Sequence, residues 1–316
     1  MKTKMILFAA AVQLMVQAAG AQTYSQLDSL PGCRFQVYYS QGNSERARQI
    51  SQRVDQAIAY YEKLLDFTPT VTLLILSAED WTKYTRYPLV YGMPHYTGDS
   101  TLVVAAHDNP FWKSFIPPPG QIAEELREPI QEAYTTDSGE LSMQAFFDLL
   151  VVHELGHAFH FQAKLNMQRK WLAELYVNSL LHAYVAEIEP QSLPALTLVA
   201  KMVLQQGTKD LKYTSLEDVE RLYYEIGKNH PNNYGWYQFR WHAAAAKIYD
   251  ASGEQINRTW WNALRKQTEK VPDDELVLFL ASEVGKSVAD VMRYWDRDML
   301  NYSAGDSKSP AEFSGQ

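Results

Sequence analysis

The sequence predicts an α+β fold, in which a small N-terminal α/β subdomain with a mixed sheet precedes a mainly helical C-terminal subdomain. Two observations predict this arrangement. Runs typical of β-strands occur before about residue 110, whereas apolar residues at helical spacing fill almost the whole chain after residue 143. The 316 residues, of which 46% are hydrophobic, are enough to bury a sizeable core.

The first 21 residues have the layout of a cleavable secretory signal. Lys2 and Lys4 precede a short apolar run, and small residues follow it up to Ala21. A membrane anchor is the alternative, but the apolar run is shorter than a bilayer span and no later segment is long and apolar enough. We therefore expect cleavage near Ala21 and an exported mature protein, periplasmic or extracellular.

The charge and the cysteine content exclude several classes of function. The formal net charge is −8, and lysine and arginine are not clustered, which argues against nucleic-acid partners and anionic membrane surfaces. Cys33 is the only cysteine, so no intramolecular disulfide can form. Stability must come from packing, helped where a metal is bound.

Residues 22–110 are expected to form the α/β subdomain. Residues 34–39 and 70–76 are typical of strands, and residues 44–65 between them have apolar positions at helical spacing. A third strand is predicted at 100–107, after a turn-like stretch. We expect this third strand to be the edge strand on the substrate side.

A proline-rich connection is predicted over residues 111–142, because prolines and a glycine break regular structure there. A helical zinc-binding catalytic subdomain over 143–300 and a flexible polar tail over 301–316 follow. The helices of this subdomain are predicted at 143–165, 168–189, 191–206, 215–227, 233–250, 254–268, 274–284 and 287–299.

The stretch DLLVVHELGHAFHF, residues 148–161, contains the side chains with the clearest chemistry. His153 and His157 are four residues apart, so on a helix their Cβ atoms lie about 5–6 Å apart on one face and can share one Zn²⁺. Glu154 is turned about 100° from His153 around the helix, which suits a general base. Two incidental core histidines are the alternative, but the aliphatic residues before them predict a buried helix, in which histidines need partners.

A catalytic zinc site needs a third protein ligand and an open position. A third histidine at the metzincin spacing would stand at position 163, where the sequence has Ala163. His160 is expected to pack or to support a ligand, because the metal is already served by two residues upstream. Glu174 lies on the next predicted helix, after a loop short enough to fold it back. The predicted Zn²⁺ ligands are therefore His153, His157 and Glu174.

These residues resemble the gluzincin metallopeptidases, in which a ligand glutamate follows HExxH on the next helix, as in thermolysin and the M1 aminopeptidases. WLAEL at 171–175 looks like the WLNEG stretch that carries this glutamate in the aminopeptidases. The motif-level resemblance covers about residues 143–180. It implies a zincin-like fold, zinc as the cofactor, and a peptide or protein as the substrate.

Two departures from the gluzincin pattern limit this resemblance. Those families place an aspartate behind the first histidine, whereas this chain has Asn178, whose uncharged amide should make His153 a less basic ligand. The GxMEN motif that grips a free amino terminus is absent, and YGMPHYTGD at 91–99 contains no glutamate. Exopeptidase activity is therefore not supported.

A donor that stabilises the oxyanion is expected from the stretch at 232–250. The gluzincin resemblance, in which a tyrosine opens a later helix above the zinc, favours Tyr237, with Tyr234 next and His242 after it. Core packing is the alternative for each, since the chain contains 20 tyrosines.

The sequence thus predicts a secreted zinc metallopeptidase in which Glu154 activates a zinc-bound water. An exported, non-catalytic protein that binds a peptide or glycan on the same scaffold is the first alternative. Zinc-assisted hydrolysis of another kind of bond is the second, because the metal chemistry does not itself demand an amide.

Overall fold

The structure, a computed structural model, describes parts of both predicted subdomains. The predicted signal at 1–21 and the predicted tail at 301–316 lie outside the described residues. The described residues are 24–85, 89–98, 100–115, 120, 122–136 and 139–300.

A mixed sheet forms the N-terminal half, as the sequence predicts. Its strands are β1 (Asp28–Ser29), β2 (Gln36–Tyr39), β3 (Thr72–Leu76), β4 (His95–Thr97) and β5 (Thr101–Ala105). The strand order is β1-β2-β3-β5-β4. Strands β2, β3 and β5 run parallel, whereas β1 and β4 run antiparallel to their neighbours.

The prediction that residues 100–107 form the edge strand is wrong. Strand β5 pairs with β3 on one side and with β4 on the other, and all five of its residues are buried. An uninterrupted apolar run of this kind is typical of an interior strand. The chain reverses at Ser100, whose φ is 78°, so that the short strand β4 pairs back on β5 and forms the edge.

Helices make up most of the remaining described chain. The helices predicted after residue 143 are confirmed within a few residues. They are α1 (Ser44–Leu65), α2 (Ala78–Tyr84), α3 (Pro110–Lys113), α4 (Glu124–Tyr134), α5 (Gln144–Gln162), α6 (Lys170–Ile188), α7 (Leu193–Gln205), α8 (Leu216–Asn229), α9 (Pro231–Ser252), α10 (Gln255–Lys266), α11 (Asp273–Phe279) and α12 (Lys286–Leu300), with a short 3₁₀-helix at Pro190–Ser192 and a π-helix at Leu280–Val284.

The stretch predicted as a proline-rich connection contains regular structure. Pro110 begins α3, where a proline costs little because the first N–H groups of a helix have no partner within it. Helix α4 contains Pro129 and buries three residues in the core. Residues 111–142 are therefore partly a packed element and not only a linker.

The arrangement of the helices brings α5 and α6 to the centre of the molecule. Helix α5 packs against β4 and β5 and against α6, and α6 packs in turn against α9. The buried side chains of the sheet and of the helical half belong to one contiguous core. Among the helices of the described residues, none combines the length and the apolar character needed to cross a bilayer.

Candidate metal centre

Helix α5 carries both histidines of the motif in a buried setting. The aliphatic residues at 149–152 leave no polar face before His153, and a helix that is apolar all round belongs in a core. The four-residue spacing puts His153 and His157 on one face, with ring centroids 5.0 Å apart. His153 is only 6% exposed, so its ring nitrogens must find partners inside the protein.

Gly156, inside the motif, allows α6 to approach α5 closely. A Cβ atom at this position would lie 3.0 Å from Cβ of Val177 on α6, which is tighter than ordinary van der Waals contact. Because Glu174 lies almost one turn before Val177, this close approach carries the Glu174 carboxylate towards the two histidines. A larger residue at 156 would push the two helices apart.

The loop at 163–169 folds α6 back against α5. Lys164 and Gln168 have positive φ angles of 56° and 64°, which allow the chain to turn sharply. The Gln168 amide donates to the carbonyl of Glu269 over 3.0 Å and accepts from the N–H of Val271 over 3.0 Å. These contacts fix the turn, and Glu174 lies on α6 as the sequence predicts.

The three predicted ligands come together in the structure. Nε2 of His153 lies 3.4 Å from Oε2 of Glu174, and Nε2 of His157 lies 3.7 Å from Oε1 of Glu174. The ligand atoms of the three residues all lie within 4.8 Å of one another. Among the described residues, no other group of three or more histidine, cysteine and acidic side chains converges in this way.

The hydrogen-bond partners of the two histidines indicate what their inward nitrogens offer. Nδ1 of His153 lies 3.0 Å from Oδ1 of Asn178, an acceptor, so Nδ1 carries the hydrogen and Nε2 offers a lone pair. Nδ1 of His157 lies 2.9 Å from Nε2 of His160, and when His157 donates in this pair its own Nε2 is an acceptor as well. Two imidazole lone pairs then face a carboxylate, an arrangement that needs a proton or a metal cation between them. This donor set suits Zn²⁺.

Tyr223 and Gln238 donate hydrogen bonds to the Glu174 carboxylate, and Tyr234 contacts both of these donors. The hydroxyl of Tyr223 donates to Oε1 over 2.8 Å, and Nε2 of Gln238 donates to Oε2 over 3.2 Å. Tyr234 completes this layer, since its hydroxyl accepts from Gln238 over 3.1 Å and lies 3.4 Å from the Tyr223 hydroxyl. Each carboxylate oxygen is thus oriented by one donor and keeps lone pairs for the cluster.

The pKa values of Glu174 and His157 favour the protonation states that bind a metal, whereas the pKa of His153 does not. Burial alone would raise the pKa of Glu174, but His157, His153 and the Tyr223 hydrogen bond outweigh it and lower this pKa well below its usual range. Burial lowers the pKa of His157 to about 4. Burial also acts to lower the pKa of His153, but Glu174 and Glu154 raise it above its ordinary value. Glu174 is therefore an anion, the state that a metal ligand needs, whereas the raised pKa of His153 acts against the neutral imidazole that binds a metal.

Glu154 faces the edge of the sheet. Its Oε2 accepts the main-chain N–H of Tyr96, on strand β4, over 2.8 Å. Burial, the largest effect, raises the pKa of Glu154 to about 7, although His153 and the Tyr96 N–H act in the opposite direction. A carboxyl with this pKa can both accept and release a proton near neutral pH.

Of the two predicted tyrosines, only Tyr234 contacts the residues around the cluster. Tyr237 is fully buried, its hydroxyl donates to the carbonyl of Ser215 over 2.7 Å, and its ring stacks on Trp295 at 6.2 Å. The choice of Tyr237 as the first oxyanion donor is therefore corrected, because this hydroxyl is already committed to another contact. Tyr234 lies three residues earlier on α9 and is rotated by about 60° around the helix axis, and its hydroxyl contacts Tyr223 and Gln238 instead.

His242, the third oxyanion candidate, packs behind the first metal ligand. Its ring lies 6.4 Å from the ring of His153 and 5.6 Å from that of Phe146. Burial lowers the pKa of His242 to about 3, so this side chain is neutral. His160 has the supporting position that the sequence predicts, directly behind His157.

Three residues at the site are absent from the sequence predictions. Gln238 lies four residues after Tyr234 on the same helical face, a spacing that could have identified it. The Tyr223 hydroxyl reaches Glu174 across 49 residues of sequence, and the main-chain N–H of Tyr96, not its side chain, reaches Glu154 across 58, so no local pattern reveals either contact.

No protein-family model matches this chain, and neither a curated protein nor a solved structure matches it.

Proposed function

We propose that this chain is an exported, zinc-dependent metallopeptidase of the gluzincin type, with His153, His157 and Glu174 as the metal ligands. One observation carries this proposal: the inward nitrogens of a buried and a partly buried imidazole and a buried carboxylate converge within 4.8 Å. Acceptors placed together in a core repel one another unless a cation or a proton lies between them. A bound zinc ion would polarise the substrate carbonyl and lower the pKa of a water molecule.

Glu154 is proposed as the general base and then the general acid. It takes a proton from the attacking water, a C–O bond forms, and the C–N bond breaks as Glu154 passes the proton to the leaving nitrogen. Its raised pKa of about 7 suits both transfers. Its contact with the Tyr96 N–H holds the carboxylate at the open edge of β4, where an extended peptide could add as a further strand.

Tyr234 is proposed as the donor to the oxyanion. Burial, with Glu174 adding to it, raises the pKa of Tyr234 above its usual range, so the hydroxyl keeps its proton. Because Tyr223 directs its own proton to Glu174, Tyr234 is the donor in the 3.4 Å contact between the two hydroxyls, and this long hydrogen bond can be exchanged for one to a substrate. A neutral donor in a buried site stabilises developing charge strongly.

The substitution Glu154→Gln tests the proposal. It should leave zinc binding unchanged and lower the hydrolysis of a broad peptide library by about 10²- to 10⁴-fold, because the amide cannot accept the proton. Zinc content and peptide cleavage are measured on the same preparations. Glu283→Gln, at an exposed position of the π-helix, is the matched control and should change neither. Undiminished cleavage by a pure Glu154→Gln preparation would reject Glu154 as the base.

A non-catalytic protein that binds a peptide or glycan is the second candidate. Asn178 behind His153 favours it, because a neutral partner leaves the ligand less basic than a carboxylate would. A zinc-loaded protein that binds library peptides and cleaves none of them would support this candidate over the peptidase.

A further inference from the structure

Phe161 is an exposed aromatic residue beside the candidate metal centre. Its side chain is 60% exposed, although most of α5 is buried. The Phe161 ring lies 6.1 Å from the ring of His157 and 6.1 Å from that of Tyr96, with an angle of 20° between the planes of Phe161 and Tyr96. The two aromatic rings, Phe161 and Tyr96, form an aromatic shelf next to a predicted metal ligand.

The aromatic shelf is held in place from the side of the sheet. The Tyr96 hydroxyl accepts Nε2 of Gln162 over 3.3 Å. The same Gln162 amide bonds to the main chain of Thr70 in both directions, each contact being 2.8 Å long. Because the Tyr96 ring is held before any ligand arrives, packing against this half of the shelf costs less conformational entropy.

The shelf lies on the face of the sheet that a neighbouring strand would share. His95 packs on Trp81 of α2, whereas Tyr96 turns to α5, so the two residues point to opposite faces of β4. The Tyr96 N–H points away from β5 and bonds to Glu154, on the side of β4 that pairs with no other strand among the described residues. In a peptide added to this edge, the residue opposite Tyr96 would project its side chain from the same face as the Tyr96 ring.

We infer that Phe161 and Tyr96 form a subsite for a large apolar side chain, aromatic or branched aliphatic, of a peptide substrate. This inference rests on the proposed function, because the added peptide is its substrate. The residue held on the shelf lies beside Glu154, so the shelf determines which peptide bonds are presented for hydrolysis. Covering an exposed aromatic ring with another apolar side chain removes both surfaces from water, which is the source of the selectivity.

Four N-acetyl amino-acid hydroxamates test the subsite on the zinc-loaded protein, with phenylalanine, leucine, glycine or aspartate as the amino acid. The phenylalanine and leucine probes should bind about tenfold more tightly than the glycine probe, as measured by titration calorimetry. Phe161→Ala should abolish this preference and Phe161→Leu should keep part of it. Leu278→Ala, which removes a 64% exposed side chain on α11, is the control and should leave the preference unchanged.

The outcomes separate the subsite from the proposed hydrolysis. A wild-type protein that prefers the apolar probes, loses the preference in Phe161→Ala and cleaves no peptide keeps the subsite and rejects the peptidase. A wild-type protein that cleaves peptides with no apolar preference, or with one that Phe161→Ala does not change, overturns the subsite alone. Failure of all four probes to bind the zinc-loaded protein overturns the subsite as well.

Discussion

Helix α6 presents two buried glutamates whose surroundings differ in kind. Glu189 lies directly after the last turn of α6, and every side chain that hydrogen-bonds to its carboxylate is a donor. The donors are Nε and Nη2 of Arg53, each at 2.9 Å, the hydroxyl of Tyr184 at 2.6 Å and the hydroxyl of Ser192 at 3.3 Å. Glu174, near the start of the helix, also faces two imidazole nitrogens that offer lone pairs.

The difference distinguishes a structural ion pair at Glu189 from a candidate metal site at Glu174. In both cases burial acts to raise the carboxyl pKa and is outweighed, by Arg53 at Glu189 and chiefly by the histidines at Glu174, so both pKa values are lowered. The Arg53 cation is permanent, and Glu189 is balanced by the protein itself. The histidines near Glu174 balance its charge only by holding a proton or a metal ion. The lowered pKa values alone would not separate these two sites. They are separated by the neighbours of the carboxylates, which are only donors at Glu189 and include lone-pair nitrogens at Glu174.

The largest expected effect is the loss of zinc affinity at one glutamate and not at the other. Glu174→Gln removes a charged ligand and should weaken Zn²⁺ binding by about 10²-fold or more, measured by competition with a chromophoric chelator. Glu189→Gln, the matched control on the same helix, should leave the affinity within about threefold of the wild type. Equal losses in the two variants would show that Glu174 has no special role.

For folding stability near neutral pH, we expect Glu189→Gln to have a larger effect than Glu174→Gln. Glu189→Gln should lower the free energy of unfolding by about 3 kcal/mol, because it leaves the Arg53 cation poorly compensated. The folded-state pKa of Glu189 is lowered, so its stabilisation is present above the ordinary value of 4.5 and disappears as the pH falls through the folded-state pKa. Urea unfolding of the wild type and of Glu189→Gln across this pH range should show their free energies of unfolding converging in acid. A constant difference at every pH would contradict this account.

A smaller loss of zinc affinity is expected when the support of His157 is removed. His160→Leu should weaken Zn²⁺ binding by about 10- to 100-fold, because His157 loses the acceptor that fixes its tautomer and its orientation. His160→Gln keeps a side-chain acceptor and should recover part of the affinity. His182→Leu removes an equally buried histidine of α6 that packs on Tyr249, and it should not alter the affinity. An unchanged affinity in His160→Leu would overturn this role of His160.

The smallest effect is expected at Asn178, and it should be a gain. Asn178→Asp places a charge behind His153 and should raise the zinc affinity by about threefold to tenfold, since a carboxylate makes the imidazole more basic. The Asn178 Nδ2 group has no hydrogen-bond partner among the described residues, so its replacement by oxygen loses no bond seen there. Chelator competition on Asn178→Asp and Asn178→Ser checks the prediction, and a weaker site in Asn178→Asp would contradict it.

The parts of the site that the sequence predicts are those set by local spacing. The His153–His157 pair and the position of Glu174 on the next helix follow from helical periodicity and from a short loop. The gluzincin resemblance favours Tyr237 over Tyr234, but the sequence does not reveal the rotation of α9, and the two residues differ by about 60° around the helix axis.

Tertiary contacts explain the parts of the fold that the sequence does not predict. Strand β4 has three residues, too few for an alternating pattern, and is a strand only because β5 pairs with it. Helix α4 lies in a stretch that prolines mark as irregular, yet its buried residues Leu126, Ile130 and Tyr134 pack into the core. The edge strand and the support of the site thus depend on packing between distant segments.

X-ray absorption at the zinc edge, on protein stripped with a chelator and reconstituted with Zn²⁺, tests the central claim most directly. The account predicts one zinc ion per chain, with nitrogen and oxygen ligands at about 2.0–2.1 Å and the outer-shell signal of two imidazoles. The Glu174→Gln variant should give a different spectrum or lose the metal. A folded protein that takes up no zinc, or one whose zinc spectrum is the same in Glu174→Gln, would contradict the account.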